Sequence, residues 1–149
     1  MTDGARLLAE AVTILLIDWP SRDVPDTLAR HGFTVISHDD DAPDAFNAYT
    51  VDGDEVRLDY VGRLPERADI VYTHRPLGEL PEIVETAKSV GAKALWIQSG
   101  RDSSGAKDPH GCWLPREESS KAREIVEGAG LDYVEAPYIA DAVRALNRA

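Results

Sequence analysis

The chain has 149 residues, a formal net charge of -11 and one cysteine. That length gives one domain, and the acidity argues against roles that rest on nonspecific attraction to nucleic acid or anionic membranes. A lone Cys112 excludes an internal disulfide framework and suits a reducing compartment. Without a cationic apolar leader or an apolar run near eighteen residues, the expected address is the cytoplasm.

Asp3 to Ala11 reads as a short leading helix with Leu7, Leu8 and Ala11 on one side. Val12 to Ile17 is apolar on both faces, as a central parallel strand covered by helices requires. Asp18-Trp19-Pro20-Ser21-Arg22 forms a loop. A helix follows, with Asp23 or Ser21 as cap, Pro25 in the first turn, Val24 and Leu28 inward and Gly32 as its left-handed stop. Phe33 to Ser37 is the second strand, with His38-Asp39-Asp40-Asp41 placed after its carboxyl end. From Ala42 to Arg67 periodicity is weak, but Asp52-Gly53-Asp54 between alternating residues predicts a β-containing insertion, either a hairpin or a strand with a turn.

Asp69 to Gly100 reads as one complete strand, helix, strand unit. Asp69 to Thr73 is the strand, His74-Arg75-Pro76 breaks it, and Leu80, Ile83, Val84, Ala87 and Val90 recur at helical spacing before Gly91. Lys93 to Ile97 is the next strand, with Trp96 as core, and Gln98-Ser99 falls where open parallel sheets place their ligand crevice. Arg101 to Pro115 is turn-rich and adjoins that position. A helix from about Arg116 buries Ala122, Ile125, Val126 and Ala129 and ends at Gly130. Tyr133-Val134 is a last short strand. Ile139, Ala142, Val143 and Leu146 mark a terminal amphipathic helix that suits either the sheet or a subunit contact. Strands alternating with helices predict a single doubly wound α/β domain, Rossmann-like in three layers, with a mostly parallel sheet.

The Asp-Ile-Val strand followed by Arg-Pro, the Pro-Glu-Ile-Val helix and Gly-Ala-Lys-Ala-Leu-Trp-Ile-Gln-Ser-Gly resemble the small CoA-binding domain family, related to the nucleotide-binding domain of succinyl-CoA synthetases. Arg123 to Val134 is similar to that family's closing segment, and the resemblance spans Val12 to Val134. It implies a Rossmann-like fold with coenzyme A across the carboxyl ends of the strands. The cofactor-binding residues it suggests are Trp19, Ser21, Arg22, His38, Asp39, His74, Arg75, Gln98 and Ser99. In chemical terms, Ser21 and Arg22 lie near a pyrophosphate and Arg75 offers paired donors to a phosphate. Trp19 offers a stacking face, Asp39 accepts a ribose hydroxyl, and Gln98 with Ser99 lines the pocket.

The chain departs from the family pattern at Asp18, which stands in a phosphate-loop glycine's place, at Pro20, which has no amide donor, and at His38-Asp39-Asp40, where Asn-Pro is usual. The family's late cysteine is replaced by the run Glu135-Ala136-Pro137. Cys112 beside His110 has no evident base, and Asp39, Asp40, Asp41 and Asp44 lack calcium-loop spacing. The expected function is therefore a noncatalytic CoA or adenine-nucleotide binding protein, with a small-molecule nucleotide as partner and a homodimer compatible. Two alternatives stay open. One is a family member that has lost CoA and acts as an interaction or regulatory module. The other is a dinucleotide-dependent enzyme, for which Asp39 has the interval of a ribose-binding acid but the Gly-rich fingerprint is missing.

Overall fold

The computed structural model describes residues 3–17, 22–39, 42–60, 65–73, 77–97, 116–135 and 138–146. Five α-helices and seven strands lie along them. They run α1 (Asp3–Glu10), β1 (Thr13–Ile17), α2 (Asp23–Arg30), β2 (Thr34–Asp39), β3 (Ala42–Asp52), β4 (Glu55–Tyr60), β5 (Ile70–Thr73), α3 (Leu80–Ser89), β6 (Ala94–Ile97), α4 (Arg116–Gly128), β7 (Asp132–Val134) and α5 (Ile139–Ala145). The strands make one sheet in the order β4-β3-β2-β1-β5-β6-β7. β1 is parallel to both β2 and β5, and β6 and β7 continue the parallel set, while β3 and β4 add an antiparallel extension. This is the expected doubly wound α/β architecture, with a hairpin attached to one edge.

Two apolar layers follow from the alternation of side chains along the central strands. Ile14 and Leu16 of β1 face the layer made by α1, α2 and α5, where Leu8, Val24, Leu28, Ile139 and Val143 are all fully buried. Leu15 faces the opposite way, with Val71, Leu95, Ile83, Val84 and Val126 from the α3 and α4 side. The terminal helix thus spends its apolar face on the sheet. Trp96 is fully buried and is core, as its place inside a strand implies. α1 crosses it closely: a Cβ built on Gly4 would lie 2.9 Å from Cη2 of the Trp96 ring.

Glycine closes the elements where a left-handed residue is needed. Gly32 ends α2 with φ 91°, and Gly53 turns the β3-β4 hairpin with φ 63°. That hairpin pairs Asp52 with Glu55 and runs to Asn47 against Tyr60, so the weakly periodic stretch is a long two-stranded ribbon. Its alternation is blurred because both faces of the ribbon's outer part meet solvent: on one, Val51 and Leu58 keep 41% and 46% of their surface in solvent, and on the other Thr50, Arg57 and Asp59 are exposed.

Two expectations need correction. β2 continues past Ser37, so His38 and Asp39 are strand residues, paired with Phe46 and Ala42 of β3 across an irregularity in register. The antiparallel partner extends the ladder beyond the apolar run that marked the strand in the sequence. The N-cap of α2 is Arg22, in a helical conformation and without a side-chain cap bond. Asp23 is instead the first helical residue, and its carboxylate turns toward α5.

Candidate functional site

The sheet brings three chain exits into one row. Ile17, the last residue of β1, is in register with Thr73, the last of β5, and Thr73 is in register with Ile97, the last of β6. Adjacent strands stand about 4.8 Å apart, so the three strand ends Ile17, Thr73 and Ile97, which Asp18, His74 and Gln98 follow in sequence, lie on the same sheet edge within about 10 Å. The chain leaves β1 toward α2 and β2 on one side and leaves β5 toward α3 and β6 on the other. β1 and β5 are neighbours. That divergence is the switch point at which open α/β sheets hold ligands. β2 flanks the row, with Ser37 opposite Leu16 and Asp39 two residues farther along the same edge.

Trp19, Ser21, His74, Arg75, Gln98 and Ser99 lie outside the described residues, as do Cys112 and His110. Of the sequence-derived candidates, Arg22, His38 and Asp39 are placed, at the start of α2 and the end of β2. Arg22 extends along α2 to Asp26, with Nη2 3.3 Å from Oδ1 and most of its side chain in solvent. Such an exposed pair is weak, about 0.3–0.5 kcal/mol, and gives way readily to a stronger anion.

The start of α2 holds a second ionic arrangement, between residues far apart in sequence. Nη2 of Arg144 donates to both oxygens of Asp23 at 2.6 and 2.7 Å. The Tyr138 hydroxyl donates to the same carboxylate at 3.0 Å, and so does the Thr27 hydroxyl, also at 3.0 Å. Burial raises the Asp23 pKa, but these hydrogen bonds and the Arg144 charge outweigh it, and the carboxyl is held below the usual value. Both acids in the first turn of α2 therefore have their own cations, Arg144 for Asp23 and Arg22 for Asp26. The sequence gives no local signal for this network, since Asp23 and Arg144 stand 121 residues apart.

Asp69 has a different role from the strand ends. Its carboxylate accepts from the backbone amides of Val12 and Thr13 at 2.8 and 2.9 Å. Burial raises its pKa, but those two amides, with Arg67 and Lys93 nearby, bring it below the ordinary value. The acid that opens the Asp-Ile-Val segment thus fastens β5 to the start of β1 at the amino edge, opposite the row of strand ends. A groove of about 420 Å³ lined by described residues is also elsewhere: it lies along β7 between α1 and α4.

The fold and the row of strand ends define a doubly wound α/β domain. Residues 17–140 match the CoA binding domain family, and the chain belongs to that family. Among solved structures it is similar to Prb, the PH1109 protein redesigned for binding, with 17% identity, a TM-score of 0.58 and coverage of 98% of this chain and 92% of that one. It is also similar to a hypothetical protein from Pyrococcus horikoshii OT3, with 20% identity, a TM-score of 0.57 and the same two coverages, 98% and 92%. At those identities the likeness shows the shared fold. No curated protein matches the chain.

Proposed function

We propose that the protein is a noncatalytic binder of coenzyme A or a related adenine nucleotide, held across the carboxyl ends of β1, β5 and β6. The observation that carries this reading is the single register row of Ile17, Thr73 and Ile97. In sequence, Asp18-Trp19, His74-Arg75 and Gln98-Ser99 come directly after these three residues, and the chain belongs to the CoA-binding family. Arg75 would take a phosphate, Trp19 the adenine face and Asp39 a ribose hydroxyl, with Ser21 and Arg22 by the pyrophosphate and His38, Gln98 and Ser99 lining the pocket. The chemistry of α2 fits such a ligand. Its N-cap side chain leaves the first amides uncapped, and its two first-turn carboxylates are already neutralised by Arg144 and Arg22.

Thermal unfolding with CoA, acetyl-CoA, NAD and AMP titrated separately tests the reading. A ligand present at a hundred times its Kd adds about 2.7 kcal/mol to the folded state. For a domain of this size that corresponds to a rise in Tm of about 5–11 °C. The expected result is a rise with CoA species, lost in Arg75→Ala and enlarged in Asp18→Gly, which removes a negative charge beside the phosphates. No rise with any of the four would count against nucleotide binding. It would favour the second reading, a family member acting as a regulatory or interaction module. The acidity beside the strand ends supports that alternative: Asp18 follows β1 in sequence and Asp39 ends β2.

A further inference from the structure

We propose that the β7 edge of the sheet is a self-association surface, on which a second copy of this chain docks about a two-fold axis perpendicular to the sheet. Among the described residues β7 is the last strand of the sheet, paired on one side with β6. A groove of about 420 Å³ runs along it, floored by Tyr133 and Val134 and walled by α1 and α4. The guanidinium of Arg123 lies over the Tyr133 ring, 4.8 Å from its centroid.

The charges on the two walls repeat one pattern. On α1, Arg6 and Glu10 face the groove four residues apart; on α4, Arg123 and Glu127 do the same. Both helices run in the same direction relative to β7, since each precedes a strand parallel to β1. A two-fold axis past β7 reverses that direction in the second copy. Arg6 of one copy then stands opposite Glu10 of the other, and Arg123 opposite Glu127, on both sides of the axis.

Within one copy this order of charges is the poorer one. An acid four residues before a base supports a helix better than the reverse. The acids also sit in the last turns of α1 and α4, where neither helix has a basic residue and the exposed carbonyls disfavour negative charge. Arg123 and Glu127 are only 3.7 Å apart within α4, with about half of each side chain in solvent, so the pair can be shared with a facing copy. An arginine from a second copy would bring a further cation to each helix end. The groove also suits a partner of the same strongly acidic composition. Its lining carries three cations and three carboxylates, so it is neutral on a chain of net charge -11 and costs little in self-repulsion.

The test is sedimentation velocity of the full chain over a range of concentrations, at low and high salt. The expected result is a reversible dimer weakened by salt. Arg6→Glu with Arg123→Glu in one chain, and Glu10→Arg with Glu127→Arg in another, should each weaken self-association by roughly a hundredfold, and mixing the two should restore a one-to-one dimer. Should either reversed chain fail to fold by far-UV circular dichroism, Arg6→Gln with Arg123→Gln takes its place and should still weaken the dimer. A wild-type chain that stays monomeric at every concentration overturns the proposal. So does a dimer indifferent to these substitutions, or a mixture of reversed chains that does not pair.

Discussion

The ion pair between Asp23 and Arg144 ties the first turn of α2 to the last turn of α5, and its strength can be worked from its surroundings. One guanidinium nitrogen reaches both carboxylate oxygens at 2.6 and 2.7 Å, a short and well-made contact. The side chains keep 43% and 38% of their surface in water, so solvent screens the pair and the value for a buried charge-assisted bond does not apply. That leaves a coupling of about 1 kcal/mol, the upper end of the range for exposed pairs. Arg144→Ala alone also removes the bond to Asp141 at 3.0 Å and the packing of its stem, and Asp23→Ala also strips Thr27 and Tyr138 of their acceptor. A double-mutant cycle in urea subtracts those side effects. The expected coupling is about 1 kcal/mol, and each ~1 kcal/mol lowers Tm by about 2–4 °C in a chain of this length. A coupling under about 0.3 kcal/mol would mean the contact contributes nothing beyond two independent surface charges, and the assignment of a clamp to this pair would be wrong.

Gly4→Ala should lower stability by about 1–3 kcal/mol in chemical denaturation despite alanine's better helix propensity, because the added methyl meets the fully buried Trp96 ring 2.9 Å away. An unchanged or raised midpoint would show that α1 can lift off the ring without loss. Acid should destabilise the fold through Asp23 and Asp69, both held below the ordinary carboxylate value of 3.8. Above that value both states are ionised and the stabilisation is complete. As pH falls through it toward the lower folded values, the unfolded chain binds protons first and stability is lost. Asp69→Asn should flatten that fall between about pH 5 and 2 in urea titrations at fixed pH, and an unaltered slope would argue that the amides of Val12 and Thr13 do not hold a charged group.

Most of the architecture was legible because its signals are local. The all-apolar run at Ile14, Leu15 and Leu16, the helical spacing of Leu80, Ile83, Val84 and Ala87, and the Asp-Gly pair of the hairpin each determine structure through neighbours a few residues away. The end of β2 was misread because its last residues, His38 and Asp39, are polar. They are strand by virtue of pairing with β3, a partner no window of β2 contains. The cap of α2 was misassigned for a related reason. Asp23 has the right chemistry for a cap, but Arg144, Tyr138 and Thr27 offer its carboxylate better donors than the amides of its own helix.

The same contrast between local pattern and distant partner holds at Asp69. Asp69 opens the segment that carries the family resemblance most strongly, yet its carboxylate is consumed by the amides of Val12 and Thr13 at the amino edge. A residue can thus belong to a ligand-binding family's pattern because it fastens the strands that the ligand needs, without approaching the ligand. β5 is the strand between β1 and β6, and its last residue, Thr73, sets the row from which Asp18, His74 and Gln98 depart. Register is common to the whole ladder, so a slip at Asp69 would move Thr73 out of line with Ile17 and Ile97 together. Asp69→Asn therefore carries a second consequence under the proposed function. Where the fold persists, CoA affinity should fall along with stability even though the substitution lies at the opposite edge of the sheet. A variant that loses stability but binds CoA as tightly as the wild type would show that the strand ends keep their alignment without this acid.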